Sequence, residues 1–206
     1  QSITIADWVT DSITPQAVEV IVTAATADGT AADGELLSIG YGASGSGQVV
    51  CCVASDHGVA DVNAARRWTD DAIILTINGS GLQTGRATIQ SWDAGGITLN
   101  ITDAFPSAYL ATVVFRAGTE YRAWAGTAPL GNVNTSTTVN AGFTPDAAQF
   151  AATWGSDDTS ANDLALSLGM ATNDGNQGMV ERYAPDGTAD IANSMRMYTN
   201  LVGQCR

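Results

Sequence analysis

The sequence predicts an all-β chain, an antiparallel β-sandwich or barrel held in a tandem repeat whose second copy is incomplete. Three observations lead there. Glycine is abundant, at 22 of 206 residues, and Thr, Ser, Val and Ala outnumber the Lys, Glu, Leu and Gln that fill helices. Short runs alternate with a period of two and are punctuated by Gly, Asp and Asn, as strands and their turns are. The chain also repeats itself at an offset of about 130 residues.

Taken in order, the first run puts Val18, Val20 and Val22 on one face, and the next puts Leu37, Ile39 and Tyr41 on one face. Segment 48–54 follows, in which the neighbours Cys51 and Cys52 must point to opposite faces. A bridge between them would be strained, and with Cys205 the count is odd, so these thiols are expected as small apolar filler and not as a disulfide framework. Further strands are expected at 72–78, 86–92, 97–102, 109–116 and 120–125. Asn78-Gly-Ser-Gly81 and Asp93-Ala-Gly-Gly96 supply residues that tolerate positive φ, so 72–78, 86–92 and 97–102 form an antiparallel meander. Trp8 and Trp124 lie in strand-like segments ahead of each copy and are expected to pack equivalently, while Trp68 and Trp154 are expected as core anchors.

The repeat matches Ile13-Thr-Pro-Gln-Ala17 with Phe143-Thr-Pro-Asp-Ala147, and Leu37-Ser-Ile-Gly40 with Leu166-Ser-Leu-Gly169. Asp56, Asn63, Arg66 and Thr69 then find Asp186, Asn193, Arg196 and Thr199, with a slip of one residue. This divides the chain into a first β-sandwich module at 1–126 and a linker with a partial second module at 127–206. Arg206 aligns with Thr76, so the second copy stops in mid-sheet; either the natural chain continues or another surface covers its edges. An oligomer is expected on that ground. The match of Arg66 with Arg196 suggests a repeated structural ion pair, with Asp61 and Asp190 as partners.

Charge excludes whole classes of partner. Eight Arg, no Lys and 21 acidic residues give −13, which disfavours nucleic acid and anionic membrane surfaces, since both are bound by clustered cations. No catalytic residues are assigned. His57 sits between Asp56 and Gly58 on one tight turn, whereas a triad brings its side chains from separate segments. Carboxylate pairs such as Asp70-Asp71, Asp56/Asp61 and Asp28/Asp33 raise glycoside hydrolysis, but 17 Asp against 4 Glu marks most of them as turn residues. One His and scattered Cys do not make a zinc site. No cofactor is assigned, although calcium is a candidate. Asp28-Gly-Thr-Ala-Ala-Asp-Gly34 recurs as Asp157-Asp-Thr-Ser-Ala-Asn-Asp163, and acidic loops of this kind present hard oxygen ligands, which nominates Asp28, Asp33, Asp157 and Asp163. The order matches neither an EF-hand nor a nonapeptide calcium repeat, and a solvated hairpin loop needs no metal.

Leu36-Leu-Ser-Ile-Gly40, Gly47-Gln-Val-Val, Ser55-Asp-His-Gly-Val, Asn63-Ala-Ala-Arg-Arg67, Ala72-Ile-Ile-Leu and Ser91-Trp-Asp-Ala-Gly-Gly-Ile-Thr-Leu-Asn-Ile-Thr102, with the linker Gly142-Phe-Thr-Pro-Asp146, together resemble the repeated β-sandwich modules of uncharacterised tailed-bacteriophage virion proteins. The resemblance covers the whole chain through core and turn residues and carries no catalytic motif. It implies a concanavalin-like, jelly-roll-like or related antiparallel sandwich in a capsid decoration protein, head fibre or tail fibre. The expected function is therefore a non-enzymatic virion structural protein on the particle surface, assembling with other virion proteins and copies of itself. The alternative is a lectin-like fibre or secreted module that binds host-surface glycans, with or without calcium. A glycosidase or polysaccharide lyase comes third.

Overall fold

The computed structural model describes residues 1–29, 35–56, 63–118, 120–129, 136–153, 158–187 and 194–199. In chain order its elements are β1 (Ser2–Thr4), α1 (Ala6–Thr10), β2 (Ala17–Thr23), β3 (Glu35–Ala43), β4 (Gly47–Ser55), β5 (Ala64–Thr69), β6 (Ile74–Ile77), β7 (Gln83–Asp93), β8 (Gly96–Asp103), β9 (Ala111–Arg116), β10 (Ala147–Ala152), β11 (Ala161–Asn162), β12 (Leu164–Thr172), β13 (Gln177–Ala184) and β14 (Ser194–Tyr198). The chain is all-β and sandwich-like, as the alternation predicts, and its strand pairs are antiparallel.

Among the described residues three sheets are stacked. A four-stranded sheet, β1-β8-β7-β6, lies against a six-stranded one, β11-β5-β4-β3-β2-β9, whose other face carries a third sheet, β10-β12-β13-β14. Val18, Val20 and Val22 point towards the first sheet and pack on Ile73, Ile74, Ala87, Ile97 and Leu99. Val50, Cys52, Ala54 and Ala65 extend that layer over Leu75 and Ile77. On the opposite face Ile39 and Val53 meet Leu164, Leu166 and Ala184, with Leu37, Tyr41, Cys51 and Leu168 at the margin. Cys51 and Cys52 thus serve different layers, as adjacent strand residues must. A sheet covered on both faces also explains the nearly continuous apolar run Val49-Val-Cys-Cys-Val-Ala54, where alternation fades.

The meander forms as expected. Gly95, at φ +84°, turns β7 into β8, and Leu82 N donates to Asn78 Oδ1 at 3.0 Å across the turn between β6 and β7. Two expectations fail locally. Segment 120–125 forms no strand, with Tyr121 and Trp124 37% and 38% exposed. Trp8 lies on the one-turn helix α1 and tilts against Phe115, their ring centroids 6.4 Å apart, so it is not equivalent to Trp124. Strand β5, Ala-Ala-Arg-Arg-Trp-Thr, is invisible to periodicity because both its faces are covered; even Arg66 is only 7% exposed.

The repeat is structural. β10, β12, β13 and β14 stand in the same order as β2, β3, β4 and β5. Their registers correspond: Ala17 opposite Ala43 becomes Ala147 opposite Thr172, Glu35 opposite Ser55 becomes Leu164 opposite Ala184, and Val50 opposite Thr69 becomes Met179 opposite Tyr198. Ser38 and Ser167, matched in sequence, are both 1% exposed. The register corrects one detail: Arg196 falls at the place of Arg67, not Arg66, because Cys52 faces Arg67 and Glu181 faces Arg196.

Candidate functional site

Two places bring chemistry together. The first is the seam between the repeats. Asp158 has φ +51°, and its backbone N–H donates to Trp68 O at 2.9 Å, which aims its carboxylate at two guanidinium groups. Arg67 donates from Nε at 3.1 Å and from Nη2 at 2.7 Å to Asp158 Oδ1, while Arg86 Nη1 reaches both carboxylate oxygens at 3.2 Å. Arg86 also pairs with Asp71, which in turn accepts the Thr69 hydroxyl at 2.6 Å. Partial burial alone would raise the Asp158 carboxyl, but the hydrogen bonds and charges of Arg86 and Arg67 outweigh it and hold the group below the usual carboxylate range.

Other links run along the same seam. Arg66 donates to the carbonyls of Asn162 and Asp163. Ala64 N donates to Asp186 Oδ1 at 3.1 Å, Glu35 pairs with Arg182, and the short strand β11, from the 127–206 stretch, pairs with β5. Arg66, expected as structural, holds two backbone carbonyls across the seam; Asp61 and Asp190, the expected partners of Arg66 and Arg196, lie outside the described residues.

The second place is an open cleft of about 500 Å³ where the middle and third sheets diverge. Tyr41, Phe150, Leu168, Met170, Val180 and Met197 line it, with Glu19 and Gln149 as polar members. Arg116 bridges those two, its Nη2 lying 3.4 Å from Glu19 Oε2 and 3.4 Å from Gln149 Oε1. Burial, reinforced by the nearby Glu19 and Cys51, pushes the Tyr41 phenol up to about 12, so it stays protonated and able to donate a hydrogen bond into the cleft. Beside the cleft the third sheet keeps large apolar side chains in water: Met170 is 50% exposed, Val180 42%, Met195 72% and Met197 76%. Val180 and Met197 are cross-strand partners, and Met195 lies two residues before Met197, so these three share one face.

The sequence-nominated residues fare unevenly. Asp28 is exposed in a turn; Asp33 and Asp157 lie outside the described residues, as does His57. Asp163, at φ +68°, accepts the Asp186 backbone N–H through Oδ1 at 2.7 Å and lends its carbonyl to Arg66. Among the described residues no group of three or more His, Cys, Asp or Glu is placed to hold a metal ion. Asp56 receives the Gly79 N–H at 2.9 Å and the Asn63 side-chain amide at 2.6 Å, fastening the loop after β6 to the end of β4. It shares a small cleft of about 180 Å³ with Glu35, but Glu35 is paired with Arg182, so both carboxylates are engaged. Among the described residues no helix is long and apolar enough to cross a membrane.

Sequence reasoning missed Asp158, Arg86 and the methionine face. Part of the signal for the last was available: Met195 and Met197 alternate in Ser194-Met-Arg-Met-Tyr198, with Met170 earlier in the same stretch. Compared with protein-family models, with curated proteins and with solved structures, the chain matches none. Fold and site chemistry define its class, an acidic, all-β, sandwich-like protein with an apolar cleft and an exposed methionine face.

Proposed function

We propose that this chain is a non-enzymatic structural protein of a bacteriophage particle, a decoration or fibre module that works by assembling with other virion proteins. The observation that carries the reading is the exposed face of Val180, Met195 and Met197 beside Met170 and the cleft. Contiguous apolar surface of this kind marks interaction sites, and flexible, polarisable methionines adapt to a partner's contour. The engaged state of Glu35 and Asp56 fits structural use of those carboxylates, and the resemblance to virion modules supplies the setting. Zero Lys and a net charge of −13 suit an outward-facing, soluble module. Mass spectrometry of purified particles tests it: the chain is expected among the virion proteins, and its absence defeats the proposal.

The carbohydrate-binding alternative draws on a different observation. Tyr41 with Glu19 and Gln149 at the cleft offers an aromatic surface beside hydrogen-bonding groups, the combination that sugars require. A glycan array run with and without calcium separates this reading from assembly; no bound glycan in either condition removes it.

A further inference from the structure

Among the described residues the third sheet ends on β10. Its counterpart in the middle sheet, β2, has a neighbour on the corresponding side: β9 runs antiparallel to it, from Ala17 opposite Arg116 to Val22 opposite Ala111. The repeat therefore indicates what that edge accepts, an antiparallel strand. The chemistry of β10 agrees. Ala147-Ala-Gln-Phe-Ala-Ala152 contains neither charge nor proline, the usual devices that stop an edge from pairing. The edge strands β9 and β14 each carry an arginine, Arg116 and Arg196. Phe150, in the middle of β10, is 38% exposed, and Gln149 lies opposite Met170, 50% exposed.

We propose that β10 is a strand-addition interface through which two copies of this chain pair antiparallel about a twofold axis at Phe150, joining their third sheets into one. A twofold contact needs a self-complementary strand, and this one carries an alanine two residues to either side of Phe150, at positions 148 and 152. Only registers that oppose residues of equal parity keep the two faces aligned across the junction. Centring on Phe150 satisfies this: each Phe150 faces the other, Ala148 faces the partner's Ala152, and Gln149 faces the partner's Ala151. The alanines leave room for the two rings to meet as a cross-strand aromatic pair. None of the chain's net negative charge sits on β10 itself. The occupant is a second copy, in keeping with the assembly role proposed above.

Sedimentation of the full chain at low micromolar concentration is expected to show a dimer. Gln149→Lys and Phe150→Lys, each placing a cation on β10, are expected to give monomers that keep the wild-type circular dichroism spectrum, with a melting temperature lowered by no more than the loss of dimerisation accounts for. Register is read by cross-linking, with the wild-type chain as the control for its own thiols. On mild oxidation Phe150→Cys is expected to couple to itself and Gln149→Cys is not, whereas a mixture of Gln149→Cys and Ala151→Cys couples. A monomeric wild-type chain overturns the proposal, as does a dimer that survives both lysine variants or in which Phe150→Cys fails to couple. These results are distinct from failure of the functional reading. A chain that dimerises but is absent from particles sinks only that reading, and a monomer found in particles sinks only this interface.

Discussion

Replacing Gly40 with alanine puts a Cβ where it would meet the Ile73 carbonyl oxygen at 1.8 Å and the carbonyl carbon at 2.8 Å. A carbon–oxygen contact needs about 3.3 Å, so the backbone of one sheet must move by about 1.5 Å. No flexible side chain can absorb this, because the obstacle is the main chain entering β6. Ile73 and Leu75 are each 0% exposed, and opening their layer forfeits dispersion contacts; a gap of ~0.5–1 Å loses a quarter to a half of each. Overpacking typically costs ~1–3 kcal/mol, and a backbone obstacle belongs at or above the top of that range, about 3 kcal/mol. For a chain of this size that lowers the melting temperature by roughly 6–12 °C. Urea unfolding followed by tryptophan fluorescence measures it. Gly45→Ala is the control, since Gly45 has φ +88° with nothing within 4 Å of the place its new methyl would take, which leaves only left-handed strain of about 1–2 kcal/mol. If Gly40→Ala costs no more than the control, the close approach of the two sheets at this point is refuted.

Three further outcomes follow from the seam and the core. Asp158→Asn removes the charge shared by Arg67 and Arg86; with the Asp158 side chain 40% exposed, solvent screening limits the loss to about 1 kcal/mol. Because the native carboxyl is held low, its contribution is present above the unfolded value, about 4, and is lost as pH falls through the native value. The difference between wild type and variant in urea midpoint should therefore be flat near neutrality and close in acid; a difference that grows in acid contradicts the clamp. Leu166→Ala, at a site 5% exposed between the repeats, is expected to cost ~2–5 kcal/mol, and a loss below about 1 kcal/mol would show that the third sheet is not anchored there. Burial pushes the Cys52 thiol up to about 12, so it should resist a thiol reagent until the chain unfolds, and its ionisation should erode stability as pH rises from about 9 towards 12; rapid native labelling at Cys52 would refute its placement in the core.

The strands with one covered face were legible in advance, because alternation records which side meets the core: Val18, Val20 and Val22 are 1%, 0% and 3% exposed. So were the meander and its turns, since glycine at positive φ is a local requirement. Strand β5 was not, because a strand buried on both sides loses the polar half of its pattern. Segment 120–125 misled for the converse reason, as its alternating residues have no sheet to join. At the seam the sequence singled out Asp157 for calcium, whereas the tertiary contacts bring its neighbour Asp158 onto Arg67 and Arg86, each in a separate strand. Side chains that converge from distant segments leave no spacing to detect.

By itself the amino-acid order determined the fold class, the turns, the opposite facing of Cys51 and Cys52, and a tandem copy whose strand order and registers recur, because period-two patterning and turn chemistry act over a few residues. Tertiary structure alone decided that the two copies pack on a shared middle sheet, that Asp158 clamps the seam, and that Met170, Met195 and Met197 of the third sheet stay in water at an open cleft. Those outcomes depend on which faces meet across more than 90 residues of chain, as in the contact of Arg67 with Asp158, and local pattern carries no record of that choice.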